Sequence, residues 1–480
     1  MTSHRLTIVQ LNDLHGYLEP HPELVWDDSR ARFPNLGGLA RITTLLNRVR
    51  DAGHAMLALD NGDTFHGTHV AVTSKGEALL PILNRLGLDA MTAHWDFAWG
   101  PAHLKHLASR LDHPVLACNC YDTESGELTF PATRLVERRG LRIGIIGIAA
   151  AIVDKSMPPQ FSEGVRLTLG IDELPGHIRR LRQMERADIV VVLSHLGLPQ
   201  DVKLAAAVDG IDVLLSGHTH NRLTCPIEVN GAVLIQSGCH GSYLGCLALD
   251  VEPTGIRLRE HRLIAVDDTV SDDPEVAALV EAALSPSRAK LGRVVGHTRT
   301  PLHRATTLGA PMDDLLLDAI AKAAGTEVAF SNGWRYGAPI PPGPIRLQDL
   351  WNIIPTNPPV STVDLTGREI WDMLEDNLER TFAADPFEQM GGFVKRCRGL
   401  HLYGKVENPN GHRIERLFIE GAPANMERSY KAAFVTTQAV PERFGRNRRD
   451  SEVRAIAALE RYLSRHDPLV IESRHNVCLT

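Results

Sequence analysis

The decapeptide IDVLLSGHTH, residues 211–220, runs from an apolar stretch into a glycine and two histidines. Val213, Leu214 and Leu215 make a run of the length and composition of a buried strand. At its exit, His218 and His220 stand two apart. Residues two apart in extended chain point to the same side, so both imidazoles can reach one ion. Two histidines behind a glycine are hard to explain by packing, and this exit therefore sets the question for the rest of the chain.

The same pattern recurs on both sides of it. RLTIVQLN, HAMLALDNGD, LRIGIIGIAA, ADIVVVLSHLG and AVLIQSGC all read as buried strands, most of them ending in Gly, Asp, Asn or His. Amphipathic stretches such as LARITTLLNRVRDAG and GHIRRLRQMERA lie between them. Strand–helix alternation predicts stacked β-α units with helices outside, and in such folds ligands collect at the carboxyl ends of strands. The polar residues fall at those ends: Asp13 and His15 in NDLHG, Asp63 in DNGDTFHG, His94 in AHWDFAWG, His195 in VVVLSHLG, then His218 and His220. Each alone is weak, since a turn aspartate or a core histidine would explain it. Together and in order they predict a metal centre. Imidazole with carboxylate suits manganese, zinc or iron, and the lack of ligating cysteines argues against a closed structural zinc site. A carboxylate bridging two ions about 3.5–4 Å apart would acidify a water into a nucleophile and draw charge from a phosphoryl or sulfuryl oxygen. Hydrolysis of an anionic ester is the reaction class this chemistry implies.

The 480 residues suggest two domains. Hydrophobic and charged fractions of 43% and 23% are those of a soluble globular protein. A net charge of −7 argues against a nucleic-acid polymer as the main ligand, and no apolar run is long enough to span a bilayer. The start, MTSHRLTIVQLND, enters a strand pattern without a charged-then-apolar leader or a twin-arginine pair, and the seven cysteines lack regular spacing. Both features predict a cytoplasmic protein with reduced thiols. The expected domains are residues 1–268 and 295–480, joined by a helical linker over 269–294 that contains DDPEVAALVEAALSPSRAKLG. The proline-rich 338–360 segment reads as loops around a helix start, followed by a helix over GREIWDMLEDNLERTF.

The order DxH, GD, a GNHE-like box, SH and GHTH resembles the calcineurin-like metallophosphoesterases. SNGWRYGAPIPPGPI and VDLTGREIWDMLED are similar to segments of the 5′-nucleotidase C-terminal domain. The resemblance implies an α/β fold: an N-terminal metallophosphoesterase β-sandwich flanked by helices (αββα), plus a C-terminal α/β 5′-nucleotidase-like domain that binds substrate. It implies two divalent cations, manganese before zinc or iron. Asp13, His15 and His220 would hold the first, Asp63 would bridge, and His195, His218 and the residue in the asparagine position would hold the second.

AHWDFAWG aligns without a gap on the family's GNHEFDYG. His94 then stands in the asparagine position, Trp95 where the family has the histidine that stabilises the transition state or protonates the leaving group, and Ala98 where an aspartate orients that histidine. The SoxB enzymes of thiosulfate oxidation have an HWEFTYG-like box, and NGWRYG and DPFEQMGGFVKRCRGL also resemble their segments. The resemblance implies sulfate release from an S-sulfonated cysteine on a carrier, with 5′-nucleotidase activity on nucleoside monophosphates as the alternative. Those nucleotidases stack the base on aromatic rings; here Val440 in VTTQAVPERFGRN stands where one phenylalanine would be. Arg335, Arg396, Asn332 and Trp95 are the candidate substrate contacts, arginine forks being suited to tetrahedral oxyanions. His66 and His240 are candidates for the missing acid.

Overall fold

The computed structural model describes residues 4–252, 255–472 and 474–480. It resolves into two units, one formed by Met1–His21 with Pro34–Pro286 and the other by Pro22–Phe33 with Ser287–Thr480.

The first unit is built on two sheets that share one apolar core. One sheet orders its strands Gly255–Ala265, Tyr243–Glu252, His4–Leu11, Ala55–Asp60 and Ala90–Met91. The other orders Ile227–Val229, Ala232–Ile235, Val213–Ser216, Ile189–Ser194, Leu141–Ile148 and Thr133–Arg138. The core takes alternate residues from each strand: Leu6 and Ile8, Leu57 and Leu59, Ile143 and Ile145, Ile189 and Val191, Val213 and Leu215, Leu247 and Leu249. That period of two is the pleat itself. The runs are apolar throughout because helices cover the outer faces; Leu39–Asp51, for example, buries Leu39, Ile42 and Leu46 at helical spacing.

The strands anticipated from apolar runs are all present. GHIRRLRQMERA forms a helix over Leu174–Arg179 that widens into a π-turn over Arg180–Met184. Strand pairing sets the parallel exits level within each sheet: Leu11 lies opposite Asp60 in one, and Ile148 opposite Ser194 and Ser194 opposite Ser216 in the other. The candidate ligands follow directly after these residues.

The 272–292 segment forms the helix Pro274–Leu291, whose first turn is capped by Asp273 Oδ1 accepting from the backbone of Glu275 and Val276. The boundary between the units falls inside this helix, after Pro286.

In the second unit a five-stranded sheet orders Phe393–Arg398, Val328–Gly333, Ser429–Phe434, Pro359–Thr366 and Arg446–Arg454. The helix Gly367–Phe382 starts at a capping box: Thr366 Oγ1 accepts from Glu369 N while Glu369 Oε2 accepts from Thr366 N. It buries Ile370, Met373, Leu374 and Leu378 against Phe330 and Leu365. The proline-rich segment holds the short helix Leu347–Ile353 between loops. Among the described residues the seven cysteines form no disulfide, and no helix is long and apolar enough to cross a membrane.

Candidate metal centre

At the carboxyl ends of these strands, two groups of side chains converge within 4.8 Å each: Asp13, His15, Asp63 and His220 in one, and Asp63, His94, His195 and His218 in the other. Asp63 belongs to both. All seven lie in the first unit, and all but His220 are buried.

Their spacing suits donors that converge on shared ions. His15 Nε2 lies 3.4 Å from Asp63 Oδ2, His195 Nε2 3.3 Å from the same oxygen, and His220 Nε2 3.3 Å from Asp13 Oδ1. His94 Nδ1 is 3.1 Å from Asp63 Oδ1. Two atoms each about 2.1 Å from one ion at near-tetrahedral angles would be roughly 3.4 Å apart. Nitrogen and oxygen donors at this mutual distance fit a pair of divalent cations sharing Asp63.

The chain is strained to bring them there. Asp13, His15, Asp63, His218 and His220 all have φ between 44° and 74°. That region is costly for residues with a Cβ, and backbone strain of this kind gathers at functional sites. Close approach also matters at Gly217, where a Cβ would sit 3.0 Å from His195 Nδ1.

Buried polar side chains hold the turns. The Asp96 carboxylate accepts four backbone N–H bonds, from Asp63 (2.9 Å), Thr64 (2.9 Å), Phe65 (3.0 Å) and His94 (3.1 Å). Asn61 Nδ2 donates to the carbonyls of Ser194 and Leu215, and Asn12 Nδ2 to that of Ser216, stitching strand ends of the two sheets together. Asn61 O is 2.5 Å from His195 Nδ1, which leaves Nε2 to face Asp63. None of these holding residues was singled out from the sequence. Asp96 carried a usable signal, an acid two residues after a candidate ligand; the amides looked like ordinary strand-end residues.

Charge is balanced locally. Burial disfavours the carboxylate forms of Asp13 and Asp63, yet the facing histidines lower both, Asp63 well below the usual range. Burial would likewise lower His195, but Asp63 and Asp13 outweigh it and raise the imidazole to about 9. His15 goes the other way, pushed by burial to about 4.

Trp95 lies at the edge of this cluster, its backbone N–H donating to Asp63 Oδ1 at 2.7 Å. Its indole stacks on the His66 ring, centroids 4.6 Å apart, and meets Phe161 edge-on at 5.5 Å. His66 is therefore beside the cluster, as is His240, whose ring lies 5.8 Å from that of His15. Burial, reinforced by neighbouring histidines, pushes His66 down to about 3 and His240 well below its usual value.

Asn332, Arg335 and Arg396 belong to the second unit. Arg335 donates to Gly392 O and lies over the Phe393 ring, and Asn332 is half-buried near the end of its strand. Arg396 differs from the expectation of an open anion fork. It is 2% exposed, and its three guanidinium nitrogens are bonded to Asp313 Oδ2, Thr307 O and Thr306 O. A guanidinium committed to three internal acceptors is a structural cation.

Residues 294–439 match the model of the 5′-nucleotidase C-terminal domain. The chain is 24% identical over 463 residues to the trifunctional nucleotide phosphoesterase YfkN of Bacillus subtilis, covering 86% of this chain but only 30% of that protein. Among solved structures it is similar to the sulfate thiohydrolase SoxB of Thermus thermophilus, with a TM-score of 0.91 and 26% identity over 100% of this chain and 97% of that one. A 5′-nucleotidase precursor from Thermus thermophilus superposes with a TM-score of 0.87 at 22% identity, covering 99% of both chains. Two sheets in one core, paired His/Asp groups around a shared aspartate and these likenesses agree: the chain carries a 5′-nucleotidase C-terminal domain over residues 294–439 and is similar along its length to two-domain metallophosphoesterase/5′-nucleotidase hydrolases.

Proposed function

We propose that the chain is a dinuclear-metal hydrolase of SoxB-like selectivity, releasing sulfate from an S-sulfonated cysteine, free or on a carrier protein. The observation that carries this reading is Trp95, stacked on His66 where the family's acid would stand. Asp13, His15 and His220 would hold one cation, His94, His195 and His218 the other, with Asp63 between them; manganese suits this donor set. When bound, the cations supply an acidified water and stabilise charge on the attacked oxygens. Asn61 keeps His195 in its facing orientation through the 2.5 Å contact to its carbonyl.

The leaving group decides between substrates. In S-sulfocysteine hydrolysis an oxygen adds to the sulfonate sulfur and the S–S bond breaks, its electron pair leaving on a thiolate. A thiolate needs little protonation, so an indole can replace the acid without loss. A nucleoside alkoxide does need the proton, whose delivery is worth about 10²–10⁴-fold.

The second reading is a 5′-nucleotidase, and the matched domain over residues 294–439 favours it. The two are separated by following sulfate from S-sulfocysteine and phosphate from AMP with manganese-loaded protein. Asp63→Asn serves as the control and should abolish turnover of either. Sulfate release without AMP hydrolysis is the expected result, and efficient AMP hydrolysis would transfer the assignment to the nucleotidase.

A further inference from the structure

Behind two of the candidate ligands lies a buried carboxylate that the mechanism above does not use. Asp201, in the helix Leu198–Ala207, is fully buried, as are Ser194 and Ser216. The two serines are directly paired across adjacent parallel strands, each at its strand's carboxyl end. Ser194 Oγ donates to Asp201 Oδ1 at 2.6 Å, and Ser216 Oγ donates to Asp201 Oδ2 at 2.6 Å. Each hydroxyl also accepts, from Leu196 N at 3.2 Å and from Gln236 Nε2 at 3.0 Å. His195 follows the first serine immediately, and His218 follows the second by two residues.

The arrangement continues into the GHTH turn. Gln236 Nε2 donates to Gly217 O at 2.7 Å, while its Oε1 accepts from Thr219 Oγ1 at 3.0 Å. Thr219 Oγ1 in turn accepts from Leu198 N, the first residue of the Asp201 helix, at 3.0 Å. The Asp201 backbone N–H is tied to Gly197 O at 2.9 Å, so the carboxylate is fixed at both ends. A carboxylate is costly to bury, and burial pushes this one up to about 7 against the two hydroxyl bonds, the nearby His195 and the Gly197 backbone bond, which lower it. An apolar residue would fill the same place at less cost to the fold.

We propose that Asp201 is a positioning residue whose carboxylate ties Ser194 to Ser216 and thereby sets the separation of His195 and His218 for one cation. This inference rests on the dinuclear reading above. Its signature is asymmetry, because His195 and His218 fall in one ligand group and Asp13, His15 and His220 in the other.

The test is manganese binding to the metal-free full-length protein, by calorimetry and by electron paramagnetic resonance, for wild type, Asp201→Ala and Asp201→Asn. Supporting residues of metal ligands typically change affinity about 10–100-fold. The expected result for Asp201→Ala is one site weakened by that factor and the other held within about threefold, with the spin-coupled pair signal replaced by that of a single ion. Asp201→Asn, which keeps one acceptor and the side-chain shape, should fall between. Should Asp201→Ala not fold, Ser194→Ala and Ser216→Ala each remove one tie and should each weaken the same single site. Wild-type affinity at both sites, or equal weakening of both, overturns the proposal. Failure of the wild-type protein to bind two ions would instead overturn the dinuclear reading.

Discussion

Restoring the family's acid should convert this site. Trp95 and Ala98 lie in the 3₁₀ turn Trp95–Trp99, where residues three apart eclipse one another. In the double substitution Trp95→His with Ala98→Asp, the new carboxylate would therefore stand over the new imidazole and orient it. The backbone of residue 95 is already anchored by its 2.7 Å bond to Asp63, so the imidazole would enter beside the cluster. Losing the stack on His66 and the edge contact with Phe161 should cost about 2–4 kcal/mol of stability. Against that, proton delivery to an alkoxide is worth about 10²–10⁴-fold, or about 3–5 kcal/mol of barrier. The assay is kcat/KM for AMP and for p-nitrophenyl phosphate on manganese-loaded protein. Nitrophenolate leaves without help, so the AMP value should rise by at least about 10²-fold while the nitrophenyl value moves by less than about tenfold. An unchanged ratio in a folded variant that binds two ions would refute the leaving-group argument.

Other consequences concern the supports. Asp96→Ala strands four buried N–H groups and should cost about 3–5 kcal/mol in urea unfolding, with loss of metal affinity; a cost below about 1 kcal/mol would contradict the role given to that carboxylate. Arg396→Met leaves Asp313 facing Arg304 alone and opens two carbonyl bonds, so unfolding should be easier by about 3 kcal/mol or more. Lys395 is fully buried, donates to Gln438 O, and is pushed by burial to about 8 from 10.5, partly offset by Asp376. The folded state therefore sheds this proton before the unfolded chain does, and stability should rise with pH between those two values, by on the order of 3 kcal/mol at most. Lys395→Met should abolish that rise, as read from unfolding midpoints at pH 8 and pH 10.5.

The fold was largely legible because its strands are buried on both faces. VLLS, IVVVLS and IGIIGI are continuous apolar runs, and a run of that length between turn residues has few other uses. The candidate ligands were legible for a related reason: they sit one to four residues past strand ends, and strand pairing brings the exits together. What escaped was long-range and polar. Asp201 stands in a helix that reads as plain amphipathic, and only folding brings it 2.6 Å from serines 7 and 15 residues away. Arg396 misled because an arginine beside glycines resembles an anion site, whereas Asp313, 83 residues earlier, claims it in the interior. The left-handed backbone at Asp13, His15, Asp63, His218 and His220 likewise has no signature in residue type, since glycine would be the usual choice there.

The central claim is that this centre hydrolyses an ester whose leaving group needs no acid. Its most direct test is the ratio of kcat/KM for S-sulfocysteine to that for AMP on manganese-loaded wild-type protein. The account predicts a ratio above about 10², the least that a missing acid should cost an alkoxide. A ratio of one or below would contradict it.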